Sequence, residues 1–352
     1  MNSRDRVMLA VNRELPDRVP ADYKAEPEVN AAMMERLQVA NYDQLLAKLE
    51  IDVRRLEPRY VGPPPKLLAD DVKEDYWGIR SKHLAAAHGS YDMHVHTPLM
   101  DAETVDDMAK HNWPTPDIFD YSVLQEQAQR YAGYAIMYEG ADIFTRPCIL
   151  RNMENVMMDL VMRPDMVHYL VDKFTTFYCE DYARALEATD GKIDICCEWS
   201  DFGTQRGLLL SIPMWREFIA PYLKRLIDTV HSGGAKFMLH SCGAVRELIP
   251  DFIGLGVDIL DPIQVAAEGM DPRGLNKDFG DKIAFHGGVC TQTTLPFGKT
   301  DDVRAAVLDR VETLGAGGGY ILASSHDISA DTSVDNIIAM YDPMLRDCAS
   351  PR

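Results

Sequence analysis

Eight short apolar runs, spread along the whole chain and separated mainly by amphipathic helical segments, constrain the fold more than any other sequence feature. Strands that alternate with helices pair in parallel through right-handed crossovers. Eight such repeats predict an α/β fold of one kind, a closed (β/α)8 TIM barrel. The runs occupy residues 18–23, 52–56, 135–138, 193–197, 236–239, 257–260, 283–285 and 320–323.

One stretch interrupts this alternation. Residues 57–133 contain two proline-rich turns, and between them residues 75–80 and 91–96 alternate polar and apolar side chains as hairpin strands do. The pattern predicts an insertion of a hairpin and helices after the second barrel strand. We therefore expect residues 1–352 to form a single barrel domain.

Charge and hydropathy exclude several classes of function. Lysine and arginine total 36 against 55 aspartates and glutamates, a net charge of −19, which disfavours nucleic acid and anionic membranes as partners. No apolar run reaches the roughly 20 residues of a membrane helix, and the N-terminal apolar stretch is too short for a signal peptide. The sequence therefore favours a cytoplasmic protein, in which the seven cysteines are thiols rather than a disulfide framework.

Polar residues collect where the last five predicted strands end, at 198–205, 240–243, 261–264, 286–292 and 324–327. The C-terminal ends of the strands carry the active site in (β/α)8 barrels. Closure of the barrel would bring these separated segments into one ring. The sequence thus predicts one functional site, at this end of the barrel.

His240 and Cys242 are the sharpest pair in that ring. Residues i and i+2 at an extended strand end face the same way, so an imidazole and a thiolate can share one metal ion. Cys290, two strands further on, offers a third soft ligand, and zinc favours such mixed nitrogen and sulfur ligands. The alternative is that His240 and Cys242 are two buried side chains without a metal.

The remaining position of the metal shell has three candidates. They are a carboxylate, either Glu198 or Asp201, or a second histidine, His326. All three follow or end predicted barrel strands, and the sequence leaves the choice open.

Short motifs at these strand ends resemble the uroporphyrinogen decarboxylase superfamily, over about residues 3–346. The resemblance implies a (β/α)8 barrel with its site in a deep funnel. The matching stretches are PDRVP at 16–20, DFGTQ at 201–205, HSCG at 240–243, GG at 287–288, SHDI at 325–328 and DNI at 335–337.

The decarboxylase branch of that superfamily uses no metal and holds its tetrapyrrole with an arginine-rich N-terminal segment. Here the equivalent residues 22–28 read DYKAEPE, with Glu26 and Glu28 and without those arginines. Acidic side chains repel the carboxylates of a porphyrinogen. The departure argues against porphyrinogen decarboxylation.

A second branch comprises zinc methyltransferases that work with corrinoid proteins and use a His-x-Cys pair plus a distant cysteine. His240 and Cys242 match the pair. The thiol-methylating members carry the last cysteine in a Pro-Gly-Cys-Gly turn after the eighth strand, where this chain has His326 instead. The resemblance therefore implies Zn²⁺ and a corrinoid-carrying partner protein, and leaves the third ligand open between Cys290 and His326.

The resulting hypothesis is a zinc-dependent methyltransferase that moves a methyl group between a small molecule, preferably a methoxylated aromatic, and a corrinoid protein. Asp201 or Glu139 would act as the general acid for the leaving oxygen, and His326 is a further catalytic candidate. A homodimer is compatible with this hypothesis. The predicted substrate-binding residues are Tyr23, Tyr138, Trp199, Phe202 and Gln264.

Three alternatives remain open. One is a thiol methyltransferase that uses a methyl-corrinoid protein, which the weak Lewis acidity of a thiolate-bound zinc favours. Another is a metal-free lyase related to uroporphyrinogen decarboxylase, with Asp201 and His326 as polar anchors. The last is a barrel without catalytic activity that serves as a binding subunit.

Overall fold

The computed structural model describes residues 1–68, 71–86 and 89–346. Strands and helices alternate through these residues. The strands are β1 (Val53–Leu56), β2 (Arg59–Tyr60), β3 (Lys66–Leu67), β4 (Val72–Glu74), β5 (Arg80–Ala86), β6 (Gly89–His96), β7 (Phe119–Asp120), β8 (Ala135–Ala141), β9 (Ile195–Trp199), β10 (Lys236–His240), β11 (Ile259–Ile263), β12 (Ala284–Val289) and β13 (Tyr320–Ser324).

The α-helices fill the intervals between these strands and cover the outside of the main sheet. They are α1 (Ser3–Val11), α2 (Pro27–Leu37), α3 (Tyr42–Lys48), α4 (Val105–Ala109), α5 (Leu124–Arg130), α6 (Thr145–Arg151), α7 (Met153–Met162), α8 (Pro164–Ala188), α9 (Ile212–Phe218), α10 (Ala220–Ser232), α11 (Ile249–Leu255), α12 (Pro272–Phe279), α13 (Thr294–Phe297), α14 (Thr300–Leu314) and α15 (Val334–Met340).

A curled parallel sheet of seven strands, in the order β1-β8-β9-β10-β11-β12-β13, forms the body of the molecule. Residues 20–22 lie between its two edges. Leu322 in β13 donates its N–H to the carbonyl of Pro20 at 2.9 Å, and Asp52, next to β1, donates to the carbonyl of Ala21 at 2.9 Å. These bonds connect β13 to β1 through the first predicted run. The predicted (β/α)8 barrel is confirmed, with a first strand reduced to a short bridge.

The inside of the barrel is apolar, and helix α1 covers its lower end. Inward-facing side chains from all seven strands form one cluster, against which Val7 and Val11 of α1 pack. A second, larger cluster lies between the sheet and the outer helices. Because α1 closes the N-terminal end, the polar residues at the C-terminal ends face the open end.

Alternation along β9 and β10 decides which side chains reach the interior. In β9, Ile195 and Cys197 belong to the inner cluster, and Trp199 packs against it. In β10, Met238 also belongs to the inner cluster. Since successive side chains of a strand point to opposite faces, His240 follows Met238 inward, whereas Glu198 points outward.

Residues 57–133 add two small antiparallel sheets, β2 with β7 and β3-β4-β5-β6, together with α4 and α5. The predicted hairpin is only partly correct. Residues 91–96 do lie in β6, paired with β5. Residues 75–79 form a turn instead, because the side chain of Asp75 accepts the N–H groups of Trp77 and Ile79, both at 2.9 Å.

None of the helices in the described ranges combines the length and apolar composition that crossing a membrane requires.

Candidate metal centre at the open end of the barrel

A cavity at the C-terminal ends of the strands gathers side chains that are far apart in sequence. Lys24 and Arg55 also line two further cavities. Its lining residues are Asp22, Lys24, Arg55, Trp199, Met238, His240, Asp261, His286, Ala323, Ser324, His326 and Asp327.

Three potential metal ligands meet beside this cavity, and two of them, His240 and His326, line it. One ligand atom each from His240, Cys242 and His326 lies within 4.8 Å of the others. The Nε2 of His240 and the Sγ of Cys242 are 3.5 Å apart. His240 is buried, Cys242 is half-buried and His326 is exposed, so the group opens to solvent on one side. Two nitrogens and one sulfur are a donor set that suits zinc.

The hydrogen bonding of His240 leaves its Nε2 available as a ligand. Its Nδ1 lies 2.5 Å from Oδ2 of Asp261. Burial alone would raise the pKa of Asp261, but His286 and His240 outweigh burial and hold that pKa well below its usual range. Because the ionised carboxylate can only accept, Nδ1 carries a proton, and Nε2 is the ring nitrogen that faces Cys242 and can bind a metal.

The turn that carries Cys242 is held by predicted site residues. Asp201 accepts the N–H of Cys242 with Oδ1 at 2.8 Å, and Gln264 accepts the N–H of Gly243 with Oε1 at 2.5 Å. Gly243 has a φ of +94°, and a Cβ there would lie 2.5 Å from the backbone of Gly203. The segments 201–205 and 240–243 therefore contact each other through their backbones. This close approach requires glycine at position 243.

The protonation state of Cys242 depends on its surroundings. Burial raises the pKa of its thiol, and the carboxylates of Asp201, Asp261 and Asp327 raise it further. Without a metal the side chain is therefore a neutral thiol. Because a metal ion binds the thiolate, metal binding at this group must release a proton.

A chain of buried charges continues from Asp261 to the outer cavities. His286 places Nδ1 at 2.5 Å from Asp261 and Nε2 at 3.2 Å from Asp22. Asp22 in turn accepts two hydrogen bonds from Arg55, at 2.9 and 2.7 Å. Burial would lower the pKa of His286, but Asp261 and Asp22 raise it to about 9. His286 is therefore a buried cation at neutral pH.

This raised pKa makes stability depend on pH. Between the ordinary value of 6.5 and about 9, folded His286 holds a proton that the unfolded chain releases. The free energy of unfolding should thus fall as pH rises through this window, by at most about 1.4 kcal/mol per pH unit. Urea unfolding of the metal-free protein at pH 7 and pH 9 measures this slope. His286→Gln should lose the contribution, and an equal slope in both proteins would contradict the assignment.

Asp201 and Glu139, the two predicted acids, differ in their surroundings. Asp201 is 43% exposed and its Oδ1 lies 3.8 Å from Nε2 of His240. Glu139 is engaged on both sides, by Arg55 at 3.2 Å and Lys24 at 3.5 Å. Of the two, Asp201 is nearer to the potential ligands.

Two predicted ligands lie outside the group formed by His240, Cys242 and His326. Glu198 points away from the interior and accepts the N–H groups of Ile143 and Ser200, at 3.0 and 3.1 Å. Burial and Asp142 raise the pKa of Glu198 to about 8. Cys290 is buried after β12, and its Sγ accepts a hydrogen bond from Thr293 at 3.2 Å.

Among the predicted aromatic contacts, Trp199 lines the cavity, with its ring 4.3 Å from that of His240. The Lys24 ammonium lies over the Trp199 ring, 3.4 Å from its centroid. Tyr23, Tyr138 and Phe202 are buried in the outer hydrophobic cluster. The structure therefore brings one of the four aromatic side chains to the cavity.

Six charged residues of the site escaped the sequence-based prediction: Asp22, Lys24, Arg55, Asp261, His286 and Asp327. Asp261 and His286 begin strand-end segments already singled out as polar. Asp22, Lys24 and Arg55 belong to the first two strands, whose ends carry no motif of their own. The sequence signal that could have identified these residues is a charged side chain inside or just after an apolar run.

Comparison with known proteins agrees with this architecture. The model of the uroporphyrinogen decarboxylase (URO-D) family matches residues 143–344, more than half of the chain. The chain therefore belongs to the uroporphyrinogen decarboxylase family. A search of the curated proteins found no match.

Among solved structures, a methyltransferase from Methanosarcina mazei superposes with a TM-score of 0.67 and 17% sequence identity, over 97% of each chain. At this identity the likeness shows a shared fold. D-psicose 3-epimerase from Clostridium cellulolyticum H10 covers 66% of this chain and 86% of its own, at 10% identity and a TM-score of 0.35. Mannonate dehydratase from Streptococcus suis covers 71% and 82%, at 11% identity and the same TM-score.

Proposed function

We propose that this chain is a zinc-dependent methyltransferase that moves a methyl group between a small molecule and a corrinoid carried by a partner protein. The observation that carries the proposal is the convergence of His240, Cys242 and His326 within 4.8 Å at the open end of the barrel. Membership of the uroporphyrinogen decarboxylase family and the fold shared with the Methanosarcina mazei methyltransferase support it.

The donor set fits a catalytic zinc ion. Three protein ligands leave one coordination position for a substrate atom, and the exposed side of the group gives access to it. When bound, zinc would supply a Lewis acid for the heteroatom that carries or receives the methyl group.

The surrounding residues have separate tasks in this proposal. Asp261 holds His240 with Nε2 toward the metal position, and Asp201 and Gln264 hold the turn of Cys242. Asp201 uses Oδ1 for the Cys242 N–H, so its other oxygen is available to hold a proton for the leaving oxygen. Trp199 lines the cavity beside the group and is the aromatic side chain available to contact a bound ring.

We favour a small methoxylated donor, above all a methoxylated aromatic, because a neutral ring suffers less repulsion from nearby carboxylates than an anionic thiol does. Thiol methylation is the second candidate. It is favoured by the burial of Tyr23, Tyr138 and Phe202, which leaves Trp199 to contact a ring, and by the thiolate of Cys242, which weakens a Lewis acid.

A corrinoid partner would dock over the open end, since cobalt must reach the methyl carbon there. The residues given contain no Asp-x-His-x-x-Gly motif of corrinoid-binding proteins, which supports a corrinoid carried by a partner. The six cysteines of the described residues are free thiols, which suits the reducing cytoplasm in which reduced cobalt would be maintained.

A methyl-transfer assay tests the function. The zinc-loaded protein is mixed with reduced cobalamin and guaiacol-type ethers, and separately with methylcobalamin and small thiols, and the cobalamin absorbance is followed. We expect zinc-dependent methylation of the reduced cobalamin by the ethers. Turnover with thiols alone would reverse the direction and keep the zinc site. Zinc-independent decarboxylation, or no transfer in either arm, would contradict the proposal.

A further inference from the structure

We propose that Asp261 and His286 are positioning residues of the metal centre: Asp261 fixes the orientation of His240, and His286 in turn fixes the Asp261 carboxylate. The inference rests on the proposed zinc site. It concerns how buried side chains behind the metal position hold the ring of His240 in place.

The geometry of Asp261 is the first support. Its Oδ2 lies 2.5 Å from Nδ1 of His240 and its Oδ1 lies 2.5 Å from Nδ1 of His286. One buried carboxylate thus bridges two imidazoles through both of its oxygens. A histidine that binds a metal typically donates its other nitrogen to such a carboxylate, which fixes the ring and raises its basicity.

The surroundings of His286 are the second support. Its two ring nitrogens face carboxylates, Asp261 on one side and Asp22 on the other. Both carboxylates only accept hydrogen bonds, so both nitrogens must donate and the ring is an imidazolium. Asp22 is itself fixed by two bonds from Arg55. The cation is therefore held rigidly against Oδ1 of Asp261.

The backbone keeps these groups in register. His240 and Asp261 are directly paired across β10 and β11, and the N–H of Ser241 donates to the carbonyl of Asp261 at 2.6 Å. On the other side, a Cβ at Gly287 would lie 3.0 Å from Pro262, so β12 approaches β11 closely beside His286. Asp261 is thus placed between two strands, with His240 on one and His286 on the other.

Asp261 lies at Nδ1 of His240, across the ring from the metal position at Nε2. With both oxygens engaged, Asp261 can act on the metal only through His240. Removing His286 frees Oδ1, whereas a glutamine at position 286 can still donate an amide N–H to it. Comparing the alanine and glutamine variants therefore tests whether His286 acts through its hydrogen bond to Asp261 or only by filling space.

The experiment compares Asp261→Asn, His286→Ala and His286→Gln with the wild-type protein, using Zn²⁺ in competition with a chelator and the visible spectrum of bound Co²⁺. We expect Asp261→Asn to weaken zinc binding roughly 10- to 100-fold. His286→Ala should change the visible bands of bound Co²⁺, because the carboxylate that fixes the His240 ring loses the donor on its Oδ1. His286→Gln should restore the wild-type spectrum.

A matched control is Asp159→Asn, which breaks another buried ion pair, to Arg151, between helices α6 and α7. It should lower thermal stability and leave the Co²⁺ spectrum unchanged. ¹⁵N-histidine NMR of the wild-type protein with zinc adds a test that needs no variant, and should show His240 protonated at Nδ1.

Three outcomes keep this inference separate from the proposed function. Wild-type zinc affinity in Asp261→Asn, a wild-type Co²⁺ spectrum in His286→Ala, or His240 protonated at Nε2 would overturn the positioning roles while the zinc site stands. A wild-type protein that binds neither Zn²⁺ nor Co²⁺ would overturn both. Normal metal binding without methyl transfer would overturn the proposed function alone.

Discussion

Replacing Cys242 with serine is expected to weaken zinc binding by roughly 100- to 1000-fold and to abolish methyl transfer. A serine hydroxyl is a poor zinc ligand compared with a thiolate, and the remaining ligands are two imidazoles. The backbone of the turn should stay in place, because Asp201 and Gln264 bond main-chain N–H groups that the substitution leaves unchanged. Competition with a zinc chelator measures the affinity.

The control for this variant is Cys179→Ser. Cys179 is a half-buried free thiol on helix α8, remote from the strand ends. It should bind zinc as the wild-type protein does. Full zinc affinity in Cys242→Ser would show that this sulfur is not a ligand, and it would remove the central element of the proposed site.

The second large effect concerns the third ligand. His326→Ala is expected to lower zinc affinity by about 100-fold, whereas Cys290→Ser should change it less than about threefold. His326 meets the other two ligands within 4.8 Å, while Cys290 lies outside that group and accepts a hydrogen bond from Thr293. Zinc affinity of the two variants, measured side by side with the same chelator, decides between them.

The opposite result for these two variants would make Cys290 a ligand instead of His326. If Cys290→Ser lost zinc and His326→Ala kept it, Cys290 would be the third ligand, the alternative that the sequence left open. If neither variant lost zinc, a carboxylate such as Asp201, which lies 3.8 Å from Nε2 of His240, would become the candidate.

The sequence allowed the barrel and the location of the site to be predicted because both follow from local patterns. Each apolar run marks a strand, and parallel pairing brings all strand ends to one side. His240 and Cys242 could be singled out because their spacing of two residues is itself local. His326 was recognised by its place after the last strand.

The contacts among the buried charged residues behind the ligands could not be predicted from local sequence patterns. Asp22, Arg55, Asp261 and His286 come from four strands, and their contacts depend on the register between strands. No short spacing in the sequence encodes that register. The pairing of each carboxylate with its imidazole or guanidinium appears only in three dimensions.

The alternation of side chains along a strand could have sorted the aromatic and acidic candidates into inward-facing and outward-facing residues. Met137 belongs to the inner cluster, so its neighbour Tyr138 must point to the helices. The same rule places Trp199 inside and Glu198 outside on β9. This alternation does not predict the orientation of Phe202, because Phe202 follows the end of the strand. It is buried against Trp215 and Phe252.

Zinc content together with X-ray absorption at the zinc edge, on the purified wild-type protein, tests the central claim most directly. We predict about one zinc per chain, with one sulfur and two imidazole nitrogens among its ligands and a remaining light-atom ligand from solvent or substrate. A protein that takes up no zinc, even when supplied with it, or a zinc shell without sulfur would contradict the assignment of His240, Cys242 and His326 as the metal centre.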